Sequence, residues 1–183
     1  AADSTAHDSL DICKLALLQE DAVVRLWAAR TVVQRLDTKL AQLLPAMRSD
    51  PFMPVRREAL LGCMKLSGND AIDQLQNGLL DVHSSIREFC GFYLKERGMT
   101  DFAGFYRQVS SDASGSRLQG IIAGLGEVGN IGDISIIKKA LEGNNARLRK
   151  VAIVALAKLL RDYAISELLP YLSDESLAVS RLV

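Results

Sequence analysis

The sequence predicts an all-α fold, a solenoid of stacked antiparallel helix pairs, and two observations carry this prediction. First, an arginine returns at nearly constant intervals, because positions 25, 56, 87, 117 and 149 lie 31, 31, 30 and 32 residues apart. Second, the apolar residues between these arginines recur at the spacing of helices rather than of strands. A repeat of this length is typical of chains in which each unit packs only against its neighbours.

Each repeat is predicted to contain two helices, and the stretch 112–142 serves as the example. Asp112 or Ser114 offers side-chain oxygens that cap the first helix. The apolar stripe of this helix is Leu118, Ile121, Ile122 and Leu125. Gly126 and Gly129 end it, because glycine accepts the left-handed conformation found at many helix ends. The second helix has a similar stripe, Ile134, Ile137, Ala140 and Leu141.

The second helices share a row of apolar residues that lie 31 positions apart: Leu44, Leu75, Tyr106, Ile137 and Leu168. This row predicts a buried seam along one face of the second helices. Pro45 and Pro170 fall inside two of them, and we expect both prolines to distort the helix.

The first helices share motifs that go beyond the arginine. Asp50-Pro51 precedes Val55-Arg56 and Ala59, Asp21 precedes Val24-Arg25 and Ala28, and Leu148-Arg149 precedes Ala152. With the run Gly124-Leu-Gly-Glu-Val-Gly129, these motifs resemble HEAT repeats, especially the short variety of about 30 residues found in phycobilisome-lyase-type proteins. The resemblance covers nearly the whole chain from about Leu10 and implies a right-handed solenoid. Cys90-Gly91 departs from the small alanines of the family pattern.

The resemblance also implies a ladder in which a capping aspartate and the arginine link adjacent units. The aspartates carried over are Asp21, Asp50, Asp81, Asp112 and Asp174, and the arginines are Arg25, Arg56, Arg87, Arg117 and Arg149. We interpret these residues as parts of the scaffold rather than as a catalytic acid and an anion clamp.

The domain prediction is a single repeat array over residues 1–183, with five full units between two half units. Its first clear helix resembles the second half of a unit, and its last residues resemble the start of another. Since a finished solenoid ends in polar capping units, we expect the chain to be a fragment of a longer protein.

The sequence offers little catalytic chemistry, so no catalytic, cofactor-binding or metal-binding residue is predicted, and the chain is not expected to be an enzyme. The run Gly124–Gly129 fits the dinucleotide fingerprint Gly-x-Gly-x-x-Gly, but it follows a helical stripe instead of a strand. The two histidines, His7 and His83, are 76 residues apart. All three cysteines occupy positions predicted to be core.

The charge balance disfavours a general binder of nucleic acid, because 22 basic residues match 22 acidic ones. No stretch approaches the 18 or so uncharged apolar residues that suggest a membrane span, and no signal-peptide pattern opens the chain. These features predict a cytoplasmic location without a membrane segment.

One surface stands out as a candidate for binding a partner. We define the second-helix ridge as Gln76, Asn77, Arg107, Gln108, Lys138 and Lys139, which follow the apolar row by one and two positions. It is either a partner-binding surface, basic at one end, or a solvated face. Trp27 and Phe89, both two residues after a repeated arginine, are equally compatible with anchoring a partner and with packing against the adjacent unit.

The predicted function is that of a protein-interaction or scaffold module of a larger intracellular protein. It would recognise a protein or peptide, with an acidic segment favoured, along the face of the second helices. Two alternatives remain: an enzyme-associated repeat protein of the bilin-lyase kind, and a HEAT-like DNA alkylpurine glycosylase.

Overall fold

The computed structural model describes the backbone of residues 2–66 and 69–182 and the side chains of 9–66 and 71–182. Every regular element in these ranges is helical and none is a strand, which confirms the all-α prediction. Within the same ranges no helix is both long and apolar enough to cross a membrane.

The helices follow one another in short segments. The α-helices are α1 (Ala2–Leu17), α2 (Ala22–Gln34), α3 (Thr38–Ala41), α4 (Leu44–Arg48), α5 (Met53–Leu66), α6 (Asn69–Gly78), α7 (Ser84–Lys95), α8 (Phe102–Ser110), α9 (Gly115–Val128), α10 (Ile134–Lys139), α11 (Ala146–Leu160), α12 (Ala164–Leu168) and α13 (Leu177–Ser180). Short 3₁₀ helices span Ile131–Asp133, Arg161–Tyr163 and Leu169–Ser173.

Residues 1–75 form the first of two compact units. In this unit α2 packs against α1 and α5, and α4 also packs against α5. The core lies between these helices and includes Val32, Leu44, Met47, Val55 and Ala59, all nearly or fully buried. The three helices α2, α4 and α5 therefore share one apolar core.

Residues 76–183 form the second unit, which is organised around α9. This helix packs against α8 and, most extensively, against α11, and α11 in turn contacts α10, α12 and α13. Ile121, Ile122 and Leu125 of α9 are buried there, as are Ile153 and Leu156 of α11. By contrast, the contact between α7 and α9 is much smaller than the contact between α11 and α9.

Glycines allow α9 to approach its neighbours closely. A methyl group at Gly126 would lie 2.6 Å from the Cα atom of Ala155, and one at Gly124 would lie 2.2 Å from the ring of Tyr106. Gly129 follows the helix and donates its N–H to the carbonyl of Leu125. The run that fits a dinucleotide fingerprint thus serves helix packing and helix termination.

The two prolines expected to distort the second helices coincide with breaks in them. Pro45 lies in the first turn of α4, which is separated from α3, and Pro170 lies in the 3₁₀ helix that follows α12. Proline has no N–H to donate and its ring clashes with the preceding turn, so an unbroken α-helix is disfavoured at both positions.

The close contact at Gly126 predicts a position-specific cost of adding a methyl group. Alanine normally stabilises a helix interior relative to glycine by up to about 1 kcal/mol. We expect Gly126→Ala instead to lower the free energy of unfolding by about 1–3 kcal/mol, because α9 and α11 must separate. Gly91→Ala is the matched control, since its new methyl group meets its nearest atom at 4.0 Å. Urea denaturation measures both, and equal effects would contradict the packing role.

Candidate functional site

Four of the five repeated arginines share one backbone contact. Each is the fourth residue of its helix, in α2, α5, α7 and α11. In each of them Nη1 donates to the backbone carbonyl six positions earlier. These bonds run from Arg25 to Gln19 at 2.9 Å, from Arg56 to Asp50 at 2.9 Å, from Arg87 to Asp81 at 2.7 Å and from Arg149 to Gly143 at 2.9 Å. The arginine therefore holds the start of its helix against the segment that precedes it.

The aspartates share a second contact. Asp21, Asp50, Asp81 and Asp174 each accept a hydrogen bond from the backbone N–H two positions later, at 2.7, 2.7, 2.8 and 2.8 Å. Such a bond holds the chain in a turn and occupies a free N–H at the start of the following helix.

Arg25 and Arg149 each form an ion pair with the aspartate found 25 residues later. Arg25 donates to both carboxylate oxygens of Asp50, at 2.7 and 3.1 Å, and Arg149 does so to Asp174, at 2.9 and 2.8 Å. The hydrogen bond from Arg149 is the main reason that the pKa of Asp174 lies below its ordinary value. Each pair links two successive sequence repeats.

Arg117 and Asp112 do not take part in such a pair. Arg117 is the third residue of α9, so Leu118 occupies the place that arginine has elsewhere. Arg117 is exposed and donates to the side chain of Asn77 at 3.4 Å, and Asp112 is exposed in the loop before α9. The helix starts at Gly115, whose φ of 58° favours glycine, and this start sets the register.

Arg87 has a different acidic partner from Arg25 and Arg149. Its side chain is 4% exposed, and its Nε donates to Oε2 of Glu127 at 3.0 Å, while Nη2 donates to Oε1. Lys158 lies 3.7 Å from the same carboxylate. The partner of Arg87 therefore comes from the last turn of α9 instead of from the start of that helix.

Two of the three basic residues in the second-helix ridge are engaged within the second unit. Arg107 donates to both oxygens of the buried Asp133, at 2.6 and 3.1 Å, and Lys138 forms an ion pair with Glu167. The remaining ridge residues are Gln76, which is half-buried, and Asn77, Gln108 and Lys139, which are exposed. Most of the basic charge on the ridge is already balanced.

The two aromatic candidates differ in their surroundings. Trp27 is 64% exposed and lies beneath the guanidinium of Arg30, whose Cζ is 5.9 Å from the ring centre. Phe89 is half-buried, with its ring 4.9 Å from that of Tyr93. Trp27 is thus a surface side chain, whereas Phe89 belongs to an aromatic contact of α7.

A groove beside α7 brings together residues that the sequence did not single out as a site. Its larger part has a volume of about 510 Å³. One face of α7 lines this part with Ser84, Arg87, Glu88, Gly91, Phe92 and Lys95. Phe102, Tyr106 and Val128 also line it. We call this feature, together with the cavity that adjoins it, the α7 groove.

The adjoining cavity has a volume of about 270 Å³ and extends the groove toward α11. Val82, Lys150 and Val154 line it, and it shares Arg87, Glu127 and Lys158 with the larger part. The buried guanidinium and its carboxylate partner therefore lie where the two cavities meet.

The groove carries more positive than negative side chains. Its cations are Arg87, Lys95, Lys150 and Lys158, and its anions are Glu88 and Glu127, so four positive charges face two negative ones. Lys95 and Lys150 form no ion pair with the described residues. The groove therefore has a local positive excess, although the chain as a whole has a formal charge of zero.

The sequence did hold one signal for the groove. In the other first helices an apolar residue lies buried four positions after the fourth residue of the helix, which is an arginine or, in α9, Leu118. These buried residues are Ala29, Leu60, Ile122 and Ile153. The corresponding residue of α7 is Gly91, which is only half-buried. A missing side chain at a core position predicts a gap beside the helix.

Reactive and metal-binding side chains are scarce in the described residues. Burial raises the pKa of the Cys90 thiol to about 12, so this cysteine is a poor nucleophile. No group of three or more His, Cys, Asp or Glu side chains is placed to hold a metal ion in this part of the chain. No protein-family model matches the chain, and no curated protein sequence matches it either.

The shared arginine contact predicts unequal effects of two arginine substitutions. Arg87→Ala removes hydrogen bonds to a carboxylate and to a carbonyl, so we expect a loss of about 1.5–3 kcal/mol in the free energy of unfolding. Arg117→Ala removes one exposed contact, and its effect should stay within about 0.5 kcal/mol. Urea denaturation of both variants tests this, and a larger loss for Arg117→Ala would refute the assignment of the slot to Leu118.

The Arg107–Asp133 pair predicts a dependence on pH. The hydrogen bond from Arg107 lowers the pKa of Asp133 in the folded chain, below the value of about 3.9 for a free aspartate. Its contribution to stability is complete above pH 4–5 or so and is lost as the pH falls through the lowered pKa. Asp133→Asn should therefore be less stable than the parent near pH 7, with the difference shrinking as the pH falls toward 3. A difference independent of pH would contradict this.

Proposed function

We propose that the chain is a protein-interaction module built from HEAT-like repeats stacked as a right-handed solenoid. Two findings support the stacking. Successive first helices pack on each other within a unit, α2 on α5 and α9 on α11. The same arginine-to-carbonyl contact also recurs at the fourth residue of four of them. Chains of this kind present long surfaces on which partners lie.

The α7 groove is the proposed binding surface, and the exposure of Phe92 is the observation that carries this proposal. Phe92 is 61% exposed within a groove of about 510 Å³. Aromatic side chains are enriched among the residues that contribute most to binding energy. The second-helix ridge is a weaker candidate, because Arg107 and Lys138 already have acidic partners.

The shape of the groove favours a segment of polypeptide. The lining residues of α7 recur every three or four positions from Ser84 to Lys95, so one face of the whole helix borders the groove. A helix of 12 residues is about 18 Å long. A partner helix or extended segment of similar length would lie along α7, which is a common mode of peptide recognition.

Site-specific photo-crosslinking tests this function. The full chain, with benzoylphenylalanine in place of either Phe92 or Lys139, is irradiated in a cell extract, and the crosslinked peptides are identified by mass spectrometry. We expect position 92 to capture a defined protein segment and position 139 of the second-helix ridge to capture none. Capture only at position 139 would move the binding surface to the ridge, and capture at neither position would contradict the proposed function.

The captured segment then provides a binding assay. A synthetic peptide of that segment should bind the parent chain, and Phe92→Ala should weaken the binding at least tenfold, which corresponds to about 1.4 kcal/mol. Tyr163→Ala is the matched control, because this ring is 79% exposed and does not line the groove. Equal affinities for the Phe92 and Tyr163 variants would overturn the assignment of Phe92.

A further inference from the structure

We infer that the α7 groove selects an acidic amphipathic segment, one that carries a large apolar side chain between carboxylates. This inference rests on the proposed function and specifies the chemistry of the partner. It follows from two features of the groove: apolar side chains exposed along its walls, and cations in both of its cavities that have no ion-pair partner among the residues that the structure describes.

The apolar requirement comes from side chains that are unusually exposed. Phe92 is 61% exposed, and Val82, Val128 and Val154 are 49, 48 and 41% exposed. Phe92 and Val128 line the larger cavity, and Val82 and Val154 line the smaller one. Covering such surface is favourable by roughly 25 cal/mol per Å², so a ligand without an apolar side chain would leave this contribution unused.

The acidic requirement comes from the distribution of charge. Glu127 is already paired with Arg87, and Lys158 lies close to the same carboxylate. Lys95 in the larger cavity and Lys150 in the smaller one have no ion-pair partner among the described residues. One carboxylate of a partner near each lysine would balance the excess of two positive charges.

The position of the buried ion pair explains why the apolar and acidic requirements belong to one ligand. Arg87 and Glu127 border both cavities, so a segment bound across both would pass over this ion pair, with Lys95 in the larger cavity and Lys150 in the smaller one. Arg87 is 4% exposed and bonded to both oxygens of Glu127, and it therefore has little capacity to bind another anion. The lysines at the two ends remain to attract the carboxylates.

A nucleic acid is the less favoured polyanion for this surface. Binding of the phosphate backbone depends on several Lys or Arg contacts in a row. Here an exposed phenylalanine, three exposed valines and Glu88 line the groove together with the cations. A peptide satisfies both the apolar and the charged parts of the groove.

Selection from a phage-displayed library of random peptides tests the inference, with the full chain as bait and Phe92→Ala for counter-selection. We expect the enriched peptides to combine an aromatic or large aliphatic residue with at least two Asp or Glu residues. Their affinity should fall as salt rises, because exposed charges are screened. The double variant Lys95→Glu/Lys150→Glu should weaken binding at least tenfold, while the control Lys139→Glu changes it less than twofold.

The outcomes separate this inference from the proposed function. If no peptide distinguishes the parent chain from Phe92→Ala, the groove is not a peptide site and the proposed function fails as well. If the enriched peptides are neutral or basic, or the double variant binds them unchanged, only the acidic preference is overturned. A single-stranded oligonucleotide that binds equally well, with the same dependence on Lys95 and Lys150, would also overturn it in favour of a polyanion site.

Discussion

The repeated structure depends on the need to satisfy backbone carbonyls where one segment ends and the next helix starts. In four repeats a guanidinium from the fourth residue of a helix donates to a carbonyl of the connector before that helix, two to four residues after the previous helix ends. Such a carbonyl needs a hydrogen-bond partner wherever it is removed from water. The guanidinium groups of Arg25, Arg87 and Arg149 also donate to a carboxylate. An aspartate before α2, α5 and α7 accepts the N–H two residues on, and Asn145 does so before α11. Side chains on both sides of the helix start therefore hold the backbone in these four turns.

The α7 groove arises where this arrangement changes. In α9 the fourth residue is Leu118, and the helix starts after a turn at Gly115. Arg87 keeps its carbonyl contact but takes its carboxylate from Glu127, at the opposite end of α9 from the loop that holds Asp112. The helix α7 makes few contacts with α9, and Gly91 adds no side chain to fill the space. The same buried arginine that stabilises one turn therefore lies at the centre of the proposed binding surface.

The sequence predicted the helical class and the distortion of helices at Pro45 and Pro170, because these features follow from local spacing and local chemistry. It also predicted that Gly126 and Gly129 end a helix in left-handed backbone. Gly126 instead lies inside α9, where it allows close packing, and Gly129 follows the helix in extended backbone with a φ of −78°. Sequence reasoning matched Arg117 to the repeat, although Leu118 is 31 residues from both Arg87 and Arg149. An arginine beside the true slot was given more weight than the core stripe, in which Ile121 and Leu125 follow Leu118 by three and seven residues. The engagement of Arg107 by Asp133 could not be read from the chain, since it depends on how α8 meets the turn before α10. The groove was missed although Gly91 breaks the buried apolar pattern of the first helices, because Cys90-Gly91 was interpreted only as a departure from the family pattern and not as a gap in the packing.

The loop between α8 and α9 shows that the carboxylate partner of the repeated arginine can change. Because the arginine holds a main-chain oxygen, which every residue supplies, its carboxylate partner is exchangeable: Asp50, Glu127 and Asp174 all serve. At α7 the carbonyl contact is kept while the acid comes from Glu127 in the last turn of α9. The turn therefore tolerates an exchange of its acidic partner, and its backbone contact does not depend on which helix supplies that acid.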